Sequence, residues 1–297
     1  MADHSSSNRP SGSEETFVVL TGPENTPVPG ILTEPKHSTT HAVILCHGFL
    51  SDKHSRTNRR LTELLIPEGL ATLRFDWYGM GELQDHFPHL TLHQCLKQLD
   101  GIVAYLTDRG FRSLGLVGSS FGGFVTILAA SRYPLIKVVG LKCPAVDFAE
   151  CLRLEFGPAG MAEWKNTNLI PDILQGQAPL PLQYGFFEEC QQYDGYQEAS
   201  HITIPTRVVH GGRDDLIPAH QIERLMESLS GEKDLRILPE ADHQFGRPED
   251  FRIMTMLLAQ WMIQHLKNPE SSTPGHGSGP EPRSNLKPDN HTHVKTL

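Results

Sequence analysis

The sequence predicts an α/β fold, a mostly parallel twisted sheet of about eight strands with helices on both faces and a small insertion late in the chain. Three observations carry this reading. Short continuous apolar runs such as Ala42 to Cys46 and Leu70 to Phe75 read as strands covered on both faces. Stretches with apolar residues at helical spacing separate them, and that alternation marks a parallel sheet. Finally, Gly118-Ser119-Ser120-Phe121-Gly122 stands where one apolar run gives way to a helical pattern.

Taken in order, residues 1 to 15 are rich in Ser, Asn and Gly and are expected to be disordered. Thr16 to Leu20 and Pro27 to Leu32 read as a hairpin about a turn at Gly22-Pro23. No helix follows them, so an antiparallel edge is expected. Ala42 to Cys46 is a strand, Thr57 to Glu68 a helix and Leu70 to Phe75 a strand. Leu92, Leu96, Leu99, Val103 and Leu106 place a helix within Leu90 to Gly110. The strand at Leu114 leads into the serine motif, followed by a helix over Phe124 to Arg132 and a strand over Lys137 to Lys142. From about 147 to 201 aromatics, Pro, Gly and Gln interrupt the rhythm, as expected of a cap insertion. The rhythm resumes with a strand (Thr206 to His210), a helix (Ala219 to Leu229), a strand (Leu235 to Leu238) and a helix (Glu249 to Leu266). Residues 268 to 297 turn to Pro, Gly, Ser, Asn and His and read as a disordered tail, leaving one domain over 16 to 267.

Composition narrows the function classes. A net charge of −9 with no basic block argues against nucleic acid and an anionic membrane surface as partners. The cysteines Cys46, Cys95, Cys143, Cys151 and Cys190 are odd in number and lack C-x-x-C spacing, against a disulfide framework or a zinc site. Cys46 and Cys143 lie in apolar runs and read as core thiols. No run approaches the roughly 18 apolar residues of a membrane span, and Met1 to Glu15 lacks an apolar signal, so a cytoplasmic location is expected. Without a G-x-G-x-x-G after the first strand or an H-E-x-x-H, no cofactor and no metal are expected. The sequon at Asn290 matters only in a secreted protein, and His291 and His293 read as solvated tail histidines.

The G-x-S-x-G pattern has a physical meaning. A strand that turns at once into a helix strains the central residue, and glycines at 118 and 122 remove the Cβ atoms that block close approach. The Ser120 hydroxyl then stands exposed beside the Phe121 amide at a helix N-terminus, where negative charge is favoured. A serine hydroxyl is a weak nucleophile, so it needs a base, and the base needs an acid to orient it. In parallel sheets functional residues gather at strand carboxyl ends. Here those ends carry His47-Gly48-Phe49, the Ser120 motif, His210 to Asp215, and Ala241-Asp242-His243. Asp214 or Asp215 after one strand and His243 after the next give the chain order Ser, Asp, His.

Together with Asp76-x-x-Gly79-x-Gly81 and Ile217-Pro218, these motifs resemble the α/β-hydrolase superfamily over roughly residues 16 to 267. The resemblance is to its serine-aminopeptidase-like and cinnamoyl (feruloyl) esterase-like branch with a short cap. It implies Ser120 as nucleophile, His243 as general base and acid, and Asp214 as the orienting carboxylate, by its spacing to Ile217-Pro218. It also implies an oxyanion hole from the Phe49 and Phe121 amides. His47 is expected to support that loop, and His210 and Asp76 to be structural. A serine hydrolase acting on a small to medium carboxylic ester, with an aryl or acyl chain, through an acyl-enzyme follows. An aminopeptidase or amidase, with Glu155, Glu163, Glu188 and Glu189 as candidate amine anchors, stays open. So do a thioesterase or acyltransferase and a non-catalytic ligand-binding scaffold. Oligomeric state is not readable.

Overall fold

The structure, a computed structural model, describes residues 13–22, 25–171 and 179–267. Its first half contains β1 (Ser13–Thr21), β2 (Pro27–Pro35), β3 (His41–Cys46), α1 (Arg56–Leu65), β4 (Ala71–Phe75), α2 (Leu92–Asp108) and β5 (Ser113–Ser119). Then come α3 (Phe121–Ala129), β6 (Ile136–Lys142), β9 (Thr206–Gly211), α7 (Ala219–Ser228), β10 (Lys233–Leu238) and α8 (Pro248–Lys267). Between β6 and β9 lie α4 (Phe148–Thr167), the short ribbon β7 (Leu169–Ile170) with β8 (Leu180–Pro181), α5 (Gly185–Cys190) and α6 (Gly195–Ser200).

One eight-stranded sheet runs in the order β1-β2-β4-β3-β5-β6-β9-β10. β1 and β2 are the antiparallel edge the hairpin pattern predicts, and β2 meets β4 antiparallel. All later neighbours are parallel. Helices cover both faces. Leu61, Leu65, Met254, Leu258 and Met262 of α1 and α8 pack with Val43, Val117, Val138 and Val209 on one side. Leu96 and Leu99 of α2, Phe124 of α3 and Leu225 of α7 pack with Ile44, Leu116 and Leu141 on the other. The strands most covered by these two layers are the apolar runs of the sequence, as burial on both faces requires.

The register brings the functional strand ends level. Cys46 lies opposite Gly118, Ser119 opposite Lys142, Lys142 opposite Val209, and Gly211 opposite Leu238. The loops after β3, β5, β9 and β10 therefore leave one rim of the sheet.

Several boundaries differ from the sequence reading. β1 opens at Ser13, ahead of Thr16, so Ser13 to Glu15 belong to a strand; Glu15 pairs with Arg74 at 2.5 Å. Residues 1–12 and 268–297, including the sequon at Asn290 and the histidines at 291 and 293, lie outside the described residues. α3 begins at Phe121, directly after Ser120, and not at Phe124. Gly81–His89 forms a 3-10 stretch that no periodicity announces. The described residues of the 147–201 stretch contribute no strand to the large sheet, and α4 breaks at Gly157 (φ 61) ahead of Pro158. Its residues 172–178 lie outside the described residues. All five cysteines are buried and free. No helix among the described residues is long and apolar enough to cross a membrane.

Candidate active site

The rim is built around the strand-to-helix turn at Ser120. Its backbone is at φ 53, ψ −117, a left-handed conformation that costs a non-glycine residue on the order of 1–3 kcal/mol. Close packing enforces it. A Cβ on Gly118 would sit 2.5 Å from the Gly122 carbonyl and from Thr126 Oγ1. One on Gly122 would sit 2.3 Å from the His47 carbonyl. The Ser120 amide donates to the Lys142 carbonyl at 3.0 Å, and its own carbonyl accepts from Gly123, Phe124 and Ala145. Its side chain makes no hydrogen bond among the described residues and is partly exposed.

On the same rim, His243 Nδ1 donates to Asp214 Oδ2 at 2.9 Å, with both side chains buried. The second carboxylate oxygen of Asp214 accepts from the Leu216 and Ile217 amides at 3.0 and 2.9 Å. Burial pushes the Asp214 carboxyl up. The His243 hydrogen bond and charge, the Cys143 thiol and the Ile217 amide outweigh burial and hold it at about 2. Asp214 is thus a fixed acceptor that gives the ring an Nδ1–H and leaves Nε2 as its basic nitrogen. Between the two aspartates the sequence left open, Asp214 faces His243, while Asp215 is exposed. Asp242, adjacent to His243, turns instead to the Gly246 amide at 2.9 Å. Ser120 and His243 are not hydrogen-bonded to each other. They are joined through β6, whose Lys142 carbonyl holds the Ser120 amide and whose Lys142 Nζ donates to the His243 carbonyl at 2.5 Å.

The loop after β3 runs against the nucleophile, since a Cβ on Gly48 would be 3.4 Å from Ser120 Cβ. His47 anchors that loop. Its Nδ1 donates to the Gly48 carbonyl at 2.8 Å, and its Nε2 accepts from the Trp77 amide at 3.1 Å. Burial drives its pKa down to about 4, and with Nδ1 on the Gly48 carbonyl and Nε2 on the Trp77 amide neither nitrogen is free to take a proton from Ser120. Farther along, Lys53 Nζ is buried between Asp76 (2.6 Å) and Glu82 (2.5 Å), with the Lys53 and Glu82 amides also on Asp76. These contacts tie the loop to the 3-10 stretch. The Phe49 and Phe121 amides donate to no acceptor among the described residues; Phe121 is the first residue of α3, where a helix leaves its N–H groups free. Lys53, Trp77 and Lys142 gave no sequence signal, because each works through partners far away in the chain.

His210 is buried, its Nδ1 lies 3.7 Å from Asp214 Oδ2, and burial lowers its pKa against the pull of that carboxylate. Cys143, at φ 41, brings its thiol to the same carboxylate, and burial pushes that thiol up, so it serves as an S–H donor. Donor atoms of Cys143, His210 and Asp214 lie within 4.8 Å of one another. Asp214 is committed to His243, and nothing in this set requires a metal.

The cap aromatics divide in two. Phe148 of α4 and Phe186 of α5 pack with Phe49 and Phe121 at centroid distances of 4.9–6.1 Å, mostly edge-on or tilted, as a buried apolar cluster behind the Ser120 turn in which Phe49 alone is only half-buried. Trp164, Phe156, Tyr184 and Phe187 pack on one another as the core of the cap itself. Glu189 caps α2 by accepting from the Leu92 and His93 amides at 2.7 and 2.8 Å, and Glu155, Glu163 and Glu188 are exposed. A cavity of about 340 Å³ lined by Asp147, Arg153, Tyr196 and Arg224 includes none of Ser120, Asp214 and His243.

The model of the alpha/beta hydrolase family matches residues 43–252. The human protein named palmitoyl-protein thioesterase ABHD10, mitochondrial, is 25% identical over 233 residues, covering 76% of this chain and 74% of that one. Among solved structures, Est1E from Butyrivibrio proteoclasticus with bound ferulic acid matches at a TM-score of 0.71 and 21% identity, covering 84% of this chain and all (100%) of that one. Dienelactone hydrolase from Anabaena variabilis matches at a TM-score of 0.64 and 22% identity, covering 86% and 99%.

Proposed function

The chain belongs to the alpha/beta hydrolase family, and from that premise we propose that it is a serine hydrolase cleaving carboxylic esters through an acyl-enzyme. The observation that carries this reading is the His243–Asp214 hydrogen bond, set on the rim where Ser120 is held in a strained turn. In the proposed reaction Ser120 Oγ attacks the carbonyl carbon and His243 Nε2 takes its proton. The Phe121 and Phe49 amides receive the developing oxyanion, at about 3 kcal/mol per donor. As the tetrahedral adduct collapses, the imidazolium gives its proton to the leaving alcohol. A water then attacks the acyl-serine, yielding its proton to His243, and the acid leaves as Ser120 recovers the proton. The missing Ser120–His243 bond fits this scheme, because such contacts in ligand-free enzymes are often long and tighten with substrate.

Half-buried Phe49, backed by the buried Phe148 and Phe186 and following Gly48 beside Ser120, favours an acyl group with an aryl ring or alkyl chain. A thioester is the second reading, favoured by the name of the ABHD10 relatives; the same steps apply with a thiol leaving. The aminopeptidase reading loses ground, since Glu189 already serves α2. We assign the hydrolase domain to residues 13–267, since β1 begins at Ser13 ahead of the expected 16, with its cap at about 147–201, and propose the cytoplasm as its location, a reducing compartment suited to five free thiols.

Aryl esters, acyl thioesters and aminoacyl amides assayed side by side test the proposal. Ser120→Ala, folded by circular dichroism, is expected to lose turnover on every substrate the wild type cleaves. Wild-type activity in that variant removes the assignment.

A further inference from the structure

Lys142 is the last residue of β6, between β5 and β9 in the middle of the sheet. It shares the face of Gly140, whose Cβ position meets Leu258 and Met262 of α8, so its side chain leaves the sheet on the α8 side. The chain between β10 and α8 crosses there. Lys142 Nζ donates to the His243 carbonyl at 2.5 Å and lies 5.5 Å from the Phe245 ring. Arg56 Nη2 donates to the Phe245 carbonyl at 2.6 Å. Two cations thus grip alternate carbonyls of the loop that carries His243, in a charge-assisted geometry. Phe245 between them is buried and held at φ 52.

The main chain of Lys142 does the opposite half of the work. Its carbonyl accepts the Ser120 amide, and its neighbour Cys143 places a thiol on Asp214. One dipeptide therefore touches the turn of the nucleophile, the loop of the base and the orienting acid. We propose that Lys142 is a positioning residue that sets the His243 imidazole over Ser120 through the carbonyl of residue 243; this rests on the triad reading above. Chemistry supports a functional reason for the charge. Lys142 is 5% exposed, and burial lowers its pKa, so the ammonium is costly to keep there. An apolar side chain of the same volume would fill the site at no such cost. A lysine retained for packing alone would be the poorer choice.

The test is Lys142→Met in the full chain, beside Ser120→Ala and Lys142→Arg, with kcat and KM measured separately on an aryl ester. Lys142→Met is expected to keep a near wild-type melting temperature and KM, and to lose about 10- to 100-fold in kcat, the scale of a small misplacement of a catalytic group. The low-field proton resonance of His243 Nδ1–H should move or broaden, and Lys142→Arg, which keeps a cationic donor, should recover most of kcat. Wild-type kcat in folded Lys142→Met, with Ser120→Ala inactive, overturns the role of Lys142 alone. Activity in Ser120→Ala overturns both readings. Should Lys142→Met not fold, Lys142→Gln replaces it with the same readings. If neither folds, Lys142 is a folding residue and the positioning role is overturned.

Discussion

Asp214 is the residue whose environment is most fully determined. It is buried, yet four groups keep it ionised: the His243 ring, the Cys143 thiol and the Leu216 and Ile217 amides. Its carboxyl drops from an ordinary 3.8 to about 2 in the fold. A carboxylate with a depressed folded pKa adds stability that is complete above the unfolded value and fades as pH falls through the folded one. Between pH 5 and 2, the stability gap between wild type and Asp214→Asn should therefore shrink by roughly 2 kcal/mol in urea unfolding. A gap independent of pH contradicts the environment described for Asp214. His47 behaves in the opposite sense. Its buried, doubly bonded ring stays neutral down to about pH 4, which fits a structural anchor.

At the scale of elements, the turn between β5 and α3 depends on backbone atoms nearly in contact. Gly122→Ala would place a methyl 2.3 Å from the His47 carbonyl and 2.4 Å from that of Cys46. Overpacking of that kind costs on the order of 1–3 kcal/mol. We expect Gly122→Ala to lower the unfolding free energy measured in urea by that amount and to lose activity even under conditions where it is fully folded. An alanine variant as stable and active as wild type would show that the close approach is not needed. The strands and most helices were legible because burial on both faces writes itself as apolar runs and helical spacing does the same for α2 and α8. The serine motif places the onset of α3 at Phe121, while the apolar pattern shows the helix only from Phe124, since Gly122-Gly123 weakens the helical signal of its first turn. Ser13 to Glu15 escaped because an edge strand keeps polar residues, and the cap helices because Pro and Gly interrupt their periodicity.

Across the whole molecule, the candidate site is the product of register. Five parallel strands end level, and each of the loops after β3, β5, β9 and β10 delivers one part: an amide, an alcohol, a carboxylate and an imidazole. The sequence named Ser120 and His243 because motifs at strand ends are local, left Asp214 and Asp215 open, and the family resemblance favoured Asp214. The sequence was silent on Lys53, Trp77 and Lys142, whose partners lie 29, 30 and 101 residues away. The most direct measurement of the central claim is reaction with a fluorophosphonate, followed by peptide mapping. The account predicts one adduct, on Ser120, formed far more slowly in His243→Ala and absent in Ser120→Ala. Folded protein that stays unmodified at Ser120, or is modified elsewhere, would contradict it.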